Sequence, residues 1–139
     1  QQKIKRLTMD NQTVLAPVSL GELLDKIVIL EIKKERISDE VKLSNIRTEL
    51  KALRDIRPPS LLDNAEIQVW EMALRSANEE LWDLEDRIRD KERVADFGPE
   101  FTEIARLIYR TNDKRAHAKK MINTICGSTI VEEKSYQPY

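Results

Sequence analysis

Polar side chains interrupt an apolar stripe in the segment RTNDKRAHAKK, residues 110–120. The apolar residues around this segment recur at steps of three and four, as on the buried face of a helix. Thr111 and Arg115 stand on that stripe, and Asn112 and Lys119 border it. Two cationic side chains beside two hydrogen-bonding ones can hold a phosphate or a carboxylate. These four residues, here called the polar patch, therefore predict a site for an anionic small molecule.

A guanidinium taken out of water needs an acidic partner. Glu31 and Glu35 lie in the middle of the first predicted helix, and Lys26 lies one turn or more before them. If this helix faces the polar patch, Glu31 or Glu35 pairs with Arg115, and Lys26 adds a third cation. Asp25 is near enough on the same helix to join the cluster. This arrangement would place a ligand between the first and fourth helices, with a glutamate as a candidate acid or base.

The polar patch also has a purely structural interpretation. Arg115 could pair inside a bundle and set the register of two helices, or extend its head group to water. The sequence favours this register device over the ligand site. It leaves open whether Glu31 or Glu35 faces Arg115, because apolar stripes do not determine helix order, and whether the ligand is a phosphosugar or a nucleotide. The sequence does not indicate a reaction.

Trp82 is a second unusual residue, because its helical neighbours are polar: Asn78, Glu79, Glu85 and Asp86. Another helix could cover it, which we favour, or it could form a homodimer contact or the wall of a pocket. Tyr136, near the C-terminus, is the second interface candidate. Long amphipathic helices of balanced charge commonly bind other helices. They predict a homo-oligomeric interaction or adaptor protein as the main function, with the small-molecule site as the alternative.

The sequence predicts neither a metal nor a cofactor. His117 is the only histidine and Cys126 the only cysteine, so no Cys/His ligand set exists. The acidic residues that recur at helical spacing are typical of a solvated helix face. These residues are Glu79, Asp83, Asp86 and Asp90.

Composition restricts the class of protein further. The 139 residues suit one domain, and 24 Lys and Arg against 25 Asp and Glu give no net field to attract nucleic acid. One cysteine favours a reducing, cytoplasmic setting. No stretch of about 18 apolar residues predicts a membrane span.

Helix start and stop signals divide the chain into four helices. Ser19 with Glu22 and Asp63 with Glu66 each form a capping box. The first helix is predicted over residues 20–37, and its apolar centre, IVILEI, indicates a helix covered on several sides or a buried strand; we favour the helix. SDE, residues 38–40, can start a second helix, and RPPS, residues 57–60, ends it.

The last two helices are predicted to form a long antiparallel hairpin. Both carry apolar residues at alternating steps of three and four, as in a coiled coil. The turn DFGPEF separates residues 64–95 from residues 99–126, and Gly127 ends the fourth helix. The fold class is therefore all-α, a bundle of about four helices with an extended C-terminal arm, STIVEEKSYQPY. Residues 17–139 form one domain after an extension, 1–16, of which residues 1–8 precede Met9 and need not be native.

Five segments resemble a family of small, uncharacterised bacterial proteins known only as a domain of unknown function. They are PVSLGELLDKIVILEIKKERI, ELWDLEDRIRDKE, FGPEF, RLIYRTNDKRAHAKKMIN and VEEKSY, and the similarity extends from Pro17 to Tyr136. Members are often encoded near enzymes of surface polysaccharide synthesis, so the resemblance implies a sugar-related partner or substrate. It implies no active site, but GELLDKI and TNDKRA look most typical of the family.

Overall fold

The computed structural model describes residues 13–139, and all regular elements in this range are helical. The four α-helices are α1 (Leu20–Arg36), α2 (Glu40–Ile56), α3 (Ala65–Arg93) and α4 (Pro99–Cys126), and a 3-10 turn, Pro59–Leu61, precedes α3. The predicted all-α bundle is confirmed. Residues 1–12, most of the predicted N-terminal extension, lie outside the described range, and residues 13–19 have no regular structure.

Helix α1 is central because it is apolar on two sides. The face toward α3 and α4 comprises Leu24, Val28 and Ile32. The face toward α2 comprises Leu23, Ile27 and Leu30. This double burial explains the continuously apolar segment IVILEI and decides for a helix rather than a strand. Helix α2 covers one side of α1 through Ile46 and Leu50, and the α3–α4 hairpin covers the other.

Side-chain caps set most of the helix starts. The Ser19 hydroxyl accepts a hydrogen bond from the Glu22 amide at 3.2 Å, as predicted. The predicted cap of α3 is wrong by one residue, because Asn64 and not Asp63 accepts from the Ile67 amide, at 3.0 Å. Asn64 caps as well as aspartate does, and the extra residue moves the start of the helix to Ala65.

The hairpin follows the predicted seam. The residues of α3 and α4 that it buries most completely are Ile67, Leu74, Ala77, Leu84, Ile104, Thr111, Ala118 and Ile122. Trp70, Leu81, Ile88 and Ile108 are half-buried at its edges. Gly127 ends α4 with φ of 64°, a left-handed conformation that favours glycine.

Helices α1 and α4 approach each other closely at Gly21. The Gly21 amide donates to the Asn123 side-chain oxygen at 2.8 Å. A Cβ at this position would lie 2.5 Å from the Lys119 carbonyl oxygen and 2.8 Å from that of the Asn123 side chain. Only glycine therefore permits the backbones to come this close.

The C-terminal arm, residues 128–139, turns back along α4. The Ser128 amide donates to the Asn123 carbonyl at 2.9 Å, and at the far end the Tyr139 hydroxyl hydrogen-bonds to Asp113. The Tyr139 ring also packs edge-to-face on Tyr109, with centroids 5.2 Å apart. Among the described residues, no helix is both long enough and apolar enough to cross a membrane.

Replacing Gly21 should destabilise the protein strongly. Gly21→Ala places its methyl group against the backbone of α4, which cannot move aside as a side chain can, so we expect a loss of about 1–3 kcal/mol in the free energy of unfolding. Urea denaturation followed by circular dichroism measures this loss. Gly98→Ala is the control, because its Cβ meets only the Asp96 carboxylate, at 3.2 Å. An equal loss in both variants would contradict the close approach.

Candidate functional site

A buried carboxylate lies at the junction of three helices. Asp25 of α1 is 1% exposed, and it receives Arg115 of α4 through two guanidinium nitrogens. The Arg115 Nε lies 2.9 Å from Asp25 Oδ1, and its Nη2 lies 2.5 Å from Oδ2. These hydrogen bonds with Asp25 raise the pKa of Arg115, so the guanidinium stays charged. The bidentate geometry fixes the guanidinium plane.

Asn78 of α3 completes the junction. Its side-chain amide donates to Asp25 Oδ1 at 2.9 Å and to the Leu74 carbonyl at 3.0 Å. Asp25 therefore joins α1 to both helices of the hairpin. No fully buried side-chain polar atom of residues 13–139 is left without a hydrogen bond, as a stable polar network in a core requires.

The predicted partners of Arg115 are wrong. Glu31 and Glu35 lie on another side of α1, where Glu31 pairs with Arg54 at 3.0 Å and with Arg75 at 2.8 Å. Glu35 pairs with Arg75 at 3.3 Å. The direction of α1 across the hairpin brings Asp25, and not the later acids, opposite α4. The sequence carried a signal for this choice, because Asp25 shares a helical face with Leu24, Val28 and Ile32, the apolar residues that α3 and α4 cover.

Lys119 forms a second ionic cluster one turn along α4. Its ammonium group lies 2.6 Å from Glu22 of α1 and 3.0 Å from Glu132 of the C-terminal arm. Desolvation lowers the pKa of Lys119, but the hydrogen bonds with Glu22 and Glu132 outweigh it and raise the pKa overall. Lys26, predicted to join the charged cluster around Arg115, lies on the exposed side of α1 and pairs with Glu22 at 3.9 Å.

These two clusters form the wall of a cleft between the start of α1, α4 and the C-terminal arm. The cleft has a volume of about 950 Å³, within the range of small-molecule sites. Of the polar patch, Arg115, Lys119 and Asn112 line it, and Thr111 does not because it is 1% exposed inside the seam. The charged and aromatic residues that also line this arm cleft are Glu22, Tyr109, Asp113, Glu132, Lys134, Tyr136 and Tyr139.

Trp82 is covered within its own chain. It is half-buried against the α1, α3 and α4 core, and the Arg36 guanidinium carbon lies 5.7 Å from the centre of its ring. It also lines a smaller cavity, as one of its sequence interpretations holds. Tyr136 is 80% exposed at the arm cleft. The contribution of both residues to self-association stays a prediction.

The described residues contain no group of three or more His, Cys, Asp or Glu side chains that could hold a metal ion. Most of the acidic row on α3 is used in ion pairs. Glu79 binds Arg75, Asp83 binds Arg36 and Asp90 binds Arg93. Cys126 is half-buried, and desolvation raises the pKa of its thiol, which disfavours the nucleophilic thiolate.

Removing Arg115 should destabilise the protein more than removing the whole ion pair. Arg115→Met leaves the Asp25 carboxylate buried without a counter-ion, which costs about 3–5 kcal/mol. Adding Asp25→Asn removes the buried charge and keeps an oxygen for Asn78. We expect the double variant to be more stable than Arg115→Met in urea denaturation at neutral pH. A double variant less stable than Arg115→Met would contradict a buried ionic Asp25.

The attachment of the arm should weaken in acid. Hydrogen bonds from Lys119 and Lys134 lower the pKa of Glu132 below its ordinary value of 4.5. Its stabilising effect is therefore complete above that value and is lost as the pH falls through the lowered one. A ¹³C NMR titration of the Glu132 carboxyl should show the low pKa, and Lys119→Met should return it toward 4.5. Lys120→Met is the matched control; an equal effect there would refute the pairing.

Comparison of the chain with protein-family models, with characterised proteins and with solved structures gives no match.

Proposed function

We propose that the protein binds a small hydroxyl-rich metabolite, a sugar or a sugar derivative, in the arm cleft. The observation that carries the proposal is the placement of Arg115. Its Nε and Nη2 donate hydrogen bonds to Asp25, whereas Nη1 takes no part in the ion pair. The Arg115 side chain is 30% exposed at the cleft. The ion pair fixes the position of the guanidinium, and its remaining N–H donors face the cavity. Such a guanidinium is preorganised to bind a ligand oxygen.

The charges of the arm cleft favour hydroxyl groups over a phosphate. Three cations line it, namely Arg115, Lys119 and Lys134, and so do three carboxylates, namely Glu22, Asp113 and Glu132. A hydroxyl group both donates and accepts, so it can bond to either sign of charge. A dianionic phosphate would have to compete with Glu22 and Glu132 for Lys119 and would lie close to their charges. A neutral ligand therefore suits the cleft better than the anionic one that the sequence predicts.

Aromatic and amide side chains add to this match. Tyr109, Tyr136 and Tyr139 line the same cleft, and tyrosine presents an apolar ring face together with a hydroxyl group. Asn112 is exposed there and makes no hydrogen bond with its side chain to any described residue. Its amide offers one acceptor and two donor hydrogens to a ligand. The implied link of the resembling family to polysaccharide synthesis agrees with a sugar ligand.

Ligand binding should raise the melting temperature of the protein. The panel contains neutral monosaccharides, amino sugars, uronic acids and sugar phosphates. A ligand at about 100 times its dissociation constant adds about 2.7 kcal/mol, which is several degrees for a domain of this size. We expect the strongest shifts from neutral or singly charged sugars. A panel without any shift would contradict the proposal.

Asn112→Ala then identifies the cleft as the site. Loss of one ligand hydrogen bond should weaken binding about fivefold, measured by calorimetry, without a change in fold. Asn45→Ala is the matched control, because Asn45 is exposed on α2 away from the cleft. Arg115 is not a clean test, because its replacement leaves Asp25 without a counter-ion. Self-association, the other function that the sequence predicts, stays a prediction for sedimentation velocity to test.

A further inference from the structure

A second cavity lies on the other side of Arg115, between α1 and the middle of the hairpin. Its volume is about 380 Å³. Its apolar wall comes from Ile29 and Ile32 of α1 and from Leu81 and Trp82 of α3. This cavity, here called the Trp82 pocket, differs from the arm cleft because an indole ring and aliphatic side chains form one of its walls. It suits a flat, largely apolar group.

Polar side chains without partners stand at the rim of the Trp82 pocket. Asp86, Lys33 and Asn112 line it, and none of them makes a side-chain hydrogen bond or ion pair within residues 13–139. The neighbouring Glu85 differs, since it pairs with Arg89 at 3.5 Å. A donor–acceptor amide, a carboxylate and an ammonium group are therefore available around an apolar floor.

A heteroaromatic ring fits this combination better than an aliphatic chain does. Its flat face can pack against the wall that Trp82 and the aliphatic side chains form, and contacts with an aromatic side chain contribute energy beyond the area buried. Its edge carries N–H donors and nitrogen or carbonyl acceptors. Asp86 can accept from such an N–H, and the Asn112 amide can pair with an adjacent donor and acceptor. An aliphatic group would leave all three rim side chains without a partner.

The two cavities are adjacent because Asn112 and Arg115 line both of them. A molecule that crosses these two residues would have its ring in the Trp82 pocket and its hydroxyl groups in the arm cleft. We propose that the ligand is a nucleoside or a nucleoside derivative, with the base in the Trp82 pocket and the sugar in the arm cleft. This inference rests on the proposed function and names its ligand class.

Fluorescence of Trp82 tests the inference directly. The protein has two tryptophans, and Trp70→Phe leaves Trp82 as the only reporter. Adenosine, guanosine, cytidine and uridine are titrated into this variant, with methyl β-D-riboside as the sugar without a base. We expect at least one nucleoside to change Trp82 fluorescence and to bind about tenfold or more tightly than the riboside, as stacking of one base predicts.

Rim variants locate the base. Asp86→Ala should weaken the best nucleoside several-fold and leave binding of the monosaccharides unchanged, whereas Asn112→Ala should weaken both because Asn112 lines both cavities. Asp90→Ala, one turn further along α3, is the matched control, because Asp90 does not line the Trp82 pocket. Calorimetry measures all four proteins, wild type included.

Two results would overturn the inference. In the first, no nucleoside binds more tightly than the riboside, while sugars still bind and depend on Asn112; the proposed function then stands and the Trp82 pocket takes no base. In the second, a nucleoside binds but Asp86→Ala does not weaken it, so the base lies elsewhere. Failure of both sugars and nucleosides to bind would instead remove the proposed function itself.

Discussion

The arrangement of the helices depends on the interactions of the buried Asp25 carboxylate with Arg115 and Asn78. Asp25 is only 1% exposed. Burying a charged side chain costs free energy unless an opposite charge and hydrogen bonds compensate for the lost water. Arg115 and Asn78 supply that compensation only when α1 crosses α3 and α4 in one register. Sliding α1 by one turn would separate Asp25 from both of these partners. Apolar packing alone tolerates several registers, whereas this network tolerates one.

The same pair also positions Arg115 between the two cavities. Asp25 holds Arg115 from the core side, so the guanidinium stands as a fixed partition between the arm cleft and the Trp82 pocket. The register device and the binding site, which the sequence treats as alternatives, are thus compatible uses of one residue. The Nε and Nη2 atoms bind Asp25 on the core side, and the rest of the guanidinium faces the cavities. The close contact at Gly21 keeps α1 and α4 near enough for both.

Particular residues show how far the candidate site could be predicted. Arg115 was predicted because it breaks an apolar period, and Asn112 and Lys119 because they border it. The structure places all three at one cleft. Glu31 and Glu35 were wrong as partners of Arg115, because they belong to a separate cluster with Arg54 and Arg75. The role of the C-terminal arm was not predictable, since a segment without periodic apolar residues carries no signal for the surface on which it lies.

The sequence by itself determined the local structure. Apolar periodicity, side-chain caps, prolines and Gly127 set four helices to within one or two residues, because these signals act over a few neighbouring positions. Only the tertiary structure decided which acid pairs with Arg115 and which side of Trp82 is covered. It also decided that two cavities share a wall. These outcomes depend on the rotation and crossing direction of α1 on the hairpin. Residues far apart in the chain set that geometry jointly, and no stretch of sequence encodes it alone.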